Sequence, residues 1–258
     1  MVKPPINIKS SERTLAIFEL FADLRRPARV NELHRRLDLP QSSVSKLLQN
    51  LSRRGYLQYD PATRAYSPTL RVTLLGSWLQ EQWFGHDSLL ATMERIRSTL
   101  GTSVLLGVQN DKHVLYMVAL EALVNPRPAL AIGTLRPICL AGVGKALMMG
   151  KSRQEAELLI RRINAEESDP SRYIKVADFL AEMEQSRARG YALSDGSIVA
   201  GTKVLAMPLP RLEGQPVMAM GVGAAAEWMD ENVELAWSVL SSSVGMLNRG
   251  PAPGEMPA

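Results

Sequence analysis

The residues that invite a chemical reading lie in LDLPQSSVSKLLQNLSRRGYL, residues 37–57. Gln41, Ser42, Ser45, Lys46 and Gln49 follow Pro40 at spacings that share one face of a helix, and Arg53 and Arg54 close it. Amides, hydroxyls and cations with no acid among them are the groups that meet base edges and phosphates in a DNA groove. Gln pairs with adenine through N6 and N7 and Lys favours guanine, each good pairing discriminating by about 1–3 kcal/mol. Ser43 lies nearer the apolar side and is assigned to a phosphate. Arg53, Arg54 and the later Arg64 are placed to hold phosphates, which position a protein without reading sequence. A solvated helix face is the alternative for any one of these residues. The set as a whole argues against it.

The surrounding elements are those needed to present such a helix. Val44, Leu47, Leu48 and Leu51 recur at helical spacing as an apolar back, and Gly55 stops the run. Pro40 falls in the first helical turn, where its missing amide hydrogen costs nothing. Upstream, residues 10–24 predict a helix with Ser10 or Ser11 as N-cap, and residues 30–37 a short second helix anchored by Val30, Leu33 and Leu37. Downstream, residues 56–68 predict two strands joined at Asp60-Pro61-Ala62-Thr63. Three helices and a hairpin are the order of a winged helix-turn-helix, over residues 1–68. Residues 69–85 predict a linker helix whose Leu70, Leu74, Leu75, Trp78, Leu79 and Trp83 make a wide apolar stripe. That stripe is expected to pack against the same helix of a second subunit, with packing inside its own chain as the alternative.

From residue 86 to 249 helical and strand-like patterns mix. A helix over 86–101 precedes strands at 102–109 and 113–122 with a turn at Asn110-Asp111. Residues 128–142 read as mostly extended and lead into a helix beginning near Val143. Two more helices, the second ended by Gly190, precede apolar strands at 204–210 and 216–224 and a last helix from Asp230 to Leu247. Residues 250–258 have the composition of a disordered tail.

Charge divides along the same line. Residues 1–68 carry 12 Lys and Arg against 6 Asp and Glu, while residues 69–258 carry 18 against 20. Positive charge confined to one end fits a nucleic-acid-binding module, or a solvated basic surface. No apolar run approaches the roughly 18 residues of a membrane span, and the N-terminus lacks the apolar core of a signal peptide. The lone Cys139 excludes an internal disulfide and multi-cysteine metal sites. These features point to the cytoplasm. No G-x-S-x-G elbow or H-E-x-x-H helix is present, and His34, His86 and His113 have no evident nucleophile to serve. The chain is therefore expected to be no enzyme, with no cofactor and no metal. A redox role for Cys139 is disfavoured by its neighbours Ile138 and Leu140.

With these residues in hand, the chain resembles the IclR family of bacterial transcription regulators over nearly its whole length. The first likeness is LPQSSVSKLLQNLSRRGYL. The second is RPICLAGVGKALM (136–148), like the family's effector-domain motif ending in Gly-Lys-Ala. The third is RGYALSDGSIVAGTKVLAMPL (189–209). The resemblance implies an α+β chain: an N-terminal winged helix-turn-helix joined by a linker helix to a GAF-like mixed α/β effector-binding domain. It also implies homodimers, at times paired into tetramers, on a palindromic double-stranded DNA operator. The regulated genes would serve catabolism or efflux, with repression the expected mode.

By position, the effector site carried over from the family comprises Gly142, Val143, Asp195, Val204, Gly221 and Gly223. Read physically, LAGVGKAL puts small residues and free amides at a helix start, where the helix dipole and Lys145 suit an anion. Close packing of helix on sheet is the other account of those glycines, and Lys145 can equally be structural. A nucleotide P-loop is excluded by Cys139 and Ala146. Departures from the family pattern are informative. Gly221 and Gly223 replace frequent serines, Val204 a cysteine, Cys139 a histidine, and Gly196-Ser197 an acidic stretch. Each removes a polar group or opens volume, so the expected effector is an aromatic or hydrophobic acid. A small keto or hydroxy acid is the alternative, and a non-DNA-binding ligand or protein-interaction module is the rival of another class. In the DNA unit, His34 replaces a usual alanine, Asp38 a turn glycine, and Arg29 a capping hydroxyl, for which Asn31 is a candidate substitute.

Overall fold

A computed structural model describes residues 9–77, 89–124, 130, 132–194, 196–211 and 214–247. The chain divides into two compact units, Met1–Gln80 and Glu81–Ala258.

In the first unit, α1 (Lys9–Leu24), α2 (Val30–Arg36) and α3 (Gln41–Arg53) are followed by β1 (Leu57–Asp60), β2 (Ala65–Pro68) and α4 (Leu70–Leu74). Ile17, Phe21, Leu33, Val44, Leu48, Leu51, Leu57 and Tyr66 form one buried cluster, so each helix contributes its apolar stripe to a shared core. β1 and β2 pair antiparallel as a two-stranded wing, and Ala28 adds a single isolated bridge to Tyr66. Asp38, at φ 49, takes the left-handed turn between α2 and α3, and Gly55, at φ 78, ends the run after α3. Two capping expectations are corrected. Ser10 and Ser11 lie inside α1, which already begins at Lys9. At α2 the cap position is Arg29, with no side-chain hydrogen bond, because the Asn31 Oδ1 instead accepts from Gln41 Nε2 at 2.9 Å. Pro40 sits one residue before α3 at φ −55, and its carbonyl accepts from the Ser43 and Val44 amides.

The second unit comprises α5 (Leu89–Leu100), β3 (Ser103–Asn110), β4 (His113–Leu120), β5 (Leu135–Pro137), α6 (Gly142–Met149), α7 (Arg153–Glu166), α8 (Val176–Arg189), β6 (Ala192–Leu193), β7 (Thr202–Pro208), β8 (Met218–Ala225) and α9 (Ala226–Leu247). The strands form one antiparallel sheet in the order β5-β4-β3-β8-β7-β6. On one face Met93 and Ile96 of α5 and Ala236, Leu240 and Val244 of α9 share a core with Val104, Leu106, Leu205, Met220 and Val222. α6 covers part of the other face, through Val143, Ala146 and Leu147. Its outer side packs with α7 and α8 around Met148, Ile160, Phe179 and Met183. The last helix starts at Ala226, four residues before the expected Asp230, and is kinked where Asn232 leaves helical geometry (φ −123, ψ 21). Trp78, Leu79 and Trp83 of the expected linker helix, and the expected tail at 250–258, lie outside the described residues.

Candidate functional site

On α3 the apolar back and polar front separate as the spacing predicts. Val44, Leu48 and Leu51 are buried, whereas Gln41, Ser42, Lys46, Gln49, Arg53 and Arg54 are exposed. Ser43 and Ser45 are half-buried beside the core edge. Gln41 is tied to Asn31, which orients its amide, and Arg53 donates to Asn50 Oδ1 at 3.3 Å. Asn50 is thus a further exposed polar group of this face that the sequence reading passed over. Arg64 is exposed at the wing with a left-handed backbone (φ 54). The turn before it is held by Asp60, which accepts from the Ala62 amide at 2.9 Å and the Thr63 hydroxyl at 2.6 Å; these bonds hold its carboxyl below the usual range. Arg29 Nε donates to the Thr63 carbonyl at 2.9 Å, fastening the wing to the start of α2. Of the other cations nearby, Arg26 and Arg36 share Glu32, which neutralises part of their charge.

The second unit holds a cavity of about 750 Å³. It lies beyond the N-terminal end of α6 and is walled by the corner Leu100–Ser103, by Leu105, by Tyr116 and Ala119–Ala122, by Val124, Leu130 and Arg136, by Leu140–Gly142, by Ser194, Gly196, Ile198, Val199, Thr202 and Val204, and by Gly223–Ala225 with Trp228. Most of this wall is hydrocarbon. Several of its polar atoms are committed to the backbone: the Ser103 hydroxyl donates to the Gly223 carbonyl at 2.7 Å, and the Ser194 hydroxyl accepts from the Val204 amide at 2.8 Å. Thr102 is 6% exposed, and its hydroxyl oxygen is sealed from solvent with no hydrogen bond among the described residues. Tyr116 is 4% exposed, and burial pushes its phenol up to about 12, with the Arg136 charge pulling slightly the other way. Its hydroxyl is therefore neutral and able to donate.

The residues expected at the effector divide between this cavity and a packing seam. Gly142, Val204 and Gly223 line the cavity. Val143 and Gly221 do not. Val143 is fully buried between two glycines, its methyls 3.1 Å from where a Cβ on Gly107 or on Gly221 would stand. That seam lets α6 settle on the sheet, and Gly221 and Val143 serve its packing, away from the cavity wall. Gly142 serves both ends, since a Cβ there would collide with the Val204 carbonyl. Asp195 lies outside the described residues. Lys145, considered for an anion, is buried and engaged with Glu182 of α8 at 2.7 Å. Cys139 belongs to the cluster under α7 and α8 and is absent from the cavity wall. Burial pushes its thiol up to about 12. Arg136, Tyr116 and Thr102 were missed; the sole signal was a cation in a segment read as mostly extended. Among the described residues no group of three His, Cys, Asp or Glu side chains could hold a metal, and no helix is long and apolar enough to cross a membrane.

Comparison with known proteins decides the family. The model of the IclR helix-turn-helix domain matches residues 10–61, and that of the bacterial transcriptional regulator IclR C-terminal domain matches residues 87–241. The chain belongs to the IclR family. It is a DNA-binding transcription regulator with an effector-binding domain, in a family of proteins that are not enzymes. Among its relatives, the HTH-type transcriptional regulator BhcR of Paracoccus denitrificans is 24% identical over 247 residues, covering 95% of this chain and 88% of BhcR. The HTH-type transcriptional repressor AllR of Escherichia coli is 22% identical over 225 residues, covering 86% and 82%. Among solved structures, an IclR homologue of Microbacterium hydrocarbonoxydans complexed with 4-hydroxybenzoate superposes with a TM-score of 0.62 at 18% identity, covering 92% of this chain and 97% of that one. At that identity the likeness is one of fold.

Proposed function

We propose that this IclR-family regulator is a repressor of a catabolic or efflux operon and responds to an aromatic or otherwise hydrophobic acid. The observation that carries the effector class is the cavity, about 750 Å³ and walled mainly by aliphatic side chains and Trp228. A keto acid of two or three carbons would leave most of that volume unfilled, whereas an aromatic ring uses the apolar wall. The 4-hydroxybenzoate bound to the Microbacterium homologue supports the same class, and the naming of AllR as a repressor supports the mode. Gln41, Ser42, Ser45, Lys46 and Gln49 are assigned to base edges, and Ser43, Arg53, Arg54 and Arg64 to phosphates.

A homodimer on a palindromic operator is supported by α4, where Leu70, Leu74 and Leu75 are 71%, 57% and 59% exposed. Three neighbouring leucines in water are an unsatisfied surface, and a second copy covers them. The wild type sedimenting as a monomer at micromolar concentration would remove that part of the proposal. The effector acts by population shift, favouring the domain packing it binds better and so changing the separation of the two reading helices. Calorimetry of the full chain against benzoate, 4-hydroxybenzoate, glyoxylate and pyruvate tests the effector class, with operator retention on gels as the functional readout. Tight binding of the keto acids and none of the aromatic acids refutes it.

A further inference from the structure

We propose that Arg136 and Tyr116 form the carboxylate anchor of the cavity, so that the sheet edge, and not the start of α6, reads the anionic group of the effector. The inference rests on the cavity being the effector site and adds which atoms select the ligand. β5 pairs with β4 so that Arg136 lies opposite Val114, with Leu135 opposite Leu115. Side chains alternate along a strand, so Arg136 shares a face with Val114 and with Tyr116 two residues on. Val114 and Tyr116 belong to the buried cluster on the α6 face, and both Arg136 and Tyr116 line the cavity.

Neither side chain has a hydrogen-bond or ion-pair partner among the described residues, and of the wall's unpartnered groups these two combine a cation with a phenolic donor. Elsewhere in the unit Arg97, Arg153, Arg161, Arg162 and Arg172 each hold a carboxylate. Arg136 is half-buried in the cavity wall and pairs with no carboxylate among the described residues, Glu121 of the same wall included. A guanidinium withdrawn from water without an anion is unfavourable, and its planar fork matches a carboxylate through two parallel hydrogen bonds. The Tyr116 hydroxyl, on a residue 4% exposed, supplies a third donor. The competing anion site at α6 is depleted: Lys145 is held by Glu182, Val143 and Gly144 are packed, and Gly142 alone of that first turn reaches the cavity. Leu105, Leu130 and Val204 leave hydrocarbon for the rest of the ligand. The anchor therefore selects monocarboxylates with a large apolar body and rejects their neutral amides.

The test is calorimetry on the full-length protein with benzoate, 4-hydroxybenzoate, phenylacetate and 3-phenylpropanoate, then the tightest acid beside its amide. Wild type should prefer acid to amide by at least about tenfold. Arg136→Gln should weaken the acid by about ten- to a hundredfold and the amide by less than about threefold, which also shows the cavity intact. Arg136→Lys should restore part of the loss, and Tyr116→Phe should cost about three- to tenfold. A cavity-filling control, Val204→Phe or Ala119→Phe, whichever melts like wild type, should abolish binding of both ligands. If Arg136→Gln binds the acid like wild type while the filled cavity does not, the effector site stands and the anchor is overturned. If no acid binds wild type, or the filled cavity binds it unchanged, the effector reading fails and the anchor falls with it.

Discussion

Lys145 is the residue whose role the sequence left open, and Glu182→Gln against Lys145→Met decides it. The ammonium is 2.7 Å from the Glu182 carboxylate, with the lysine side chain 7% exposed and the glutamate 34%. Breaking a fully buried pair by neutralising one partner costs about 3–5 kcal/mol, because the other charge is stranded. Here water reaches a third of the glutamate, so about 2 kcal/mol is expected for Glu182→Gln. For a unit of this size that lowers the melting temperature by about 4–8 °C. Lys145→Met removes the stranded charge together with its desolvation and places an unbranched apolar chain beside the cluster around Ile138, Met148 and Phe179. Its melting temperature should stay within about 3 °C of wild type, and the double variant should match it. Differential scanning calorimetry of the effector unit's transition reads all three. If Lys145→Met melts as low as Glu182→Gln, the desolvation argument is wrong. If it melts normally but loses effector binding, Lys145 is a ligand group and the structural assignment fails.

In the DNA unit, Arg54→Gln should weaken every operator variant alike and reduce the slope of log affinity against log salt by about 1.8, about 0.9 for each subunit of the dimer, whereas Gln49→Ala should relax selectivity at one base position of each half-site; a salt titration with a randomised operator separates the two. The Cys139 thiol, raised by burial to about 12, stays protonated at pH 8. A thiol reagent should therefore modify it about a hundredfold or more slower in the native protein than after unfolding, and fast native labelling would contradict the assigned burial. Thr102→Val replaces an unpartnered buried hydroxyl with a methyl of the same shape and should leave melting unchanged or raise it by about 2–4 °C. A clear loss of stability would show that the hydroxyl has a partner.

The DNA unit was largely legible because its determinants are local. The spacing of Val44, Leu48 and Leu51, the absence of acids on α3, the left-handed turn at Asp38 and the stop at Gly55 all act within a few residues. What escaped notice there crosses from one element to another, such as Asn31 holding Gln41 where a helix cap had been expected. Trp78, Leu79 and Trp83, on which the linker expectation leans hardest, fall outside the described residues.

In the effector unit strand periodicity proved too coarse. Gly221 and Gly223 are two residues apart on β8 and share a face, so alternation gives them one environment. The structure gives them two, because Val143 sits on Gly221 while the cavity opens beyond the end of α6, beside Gly223. The boundary is set by where a helix from a distant part of the chain stops. The same fact revises the argument from lost polar groups. Cys139 and Gly221 never face the cavity, so their departures from the family pattern say nothing about the ligand. Val204, Gly196 and Gly223 do face it. With the Ser103 hydroxyl donating to backbone and the Ser194 hydroxyl accepting from it, Arg136 is the wall's one cation and Tyr116 its one phenol among the described residues, beside the Glu121 carboxylate and the hydroxyls of Thr102 and Thr202. A wall with few scattered hydrogen-bonding groups discriminates poorly among small polar acids. One cation beside one phenol discriminates strongly between an apolar acid and its neutral analogue, which is the selectivity a sensor of hydrophobic acids requires.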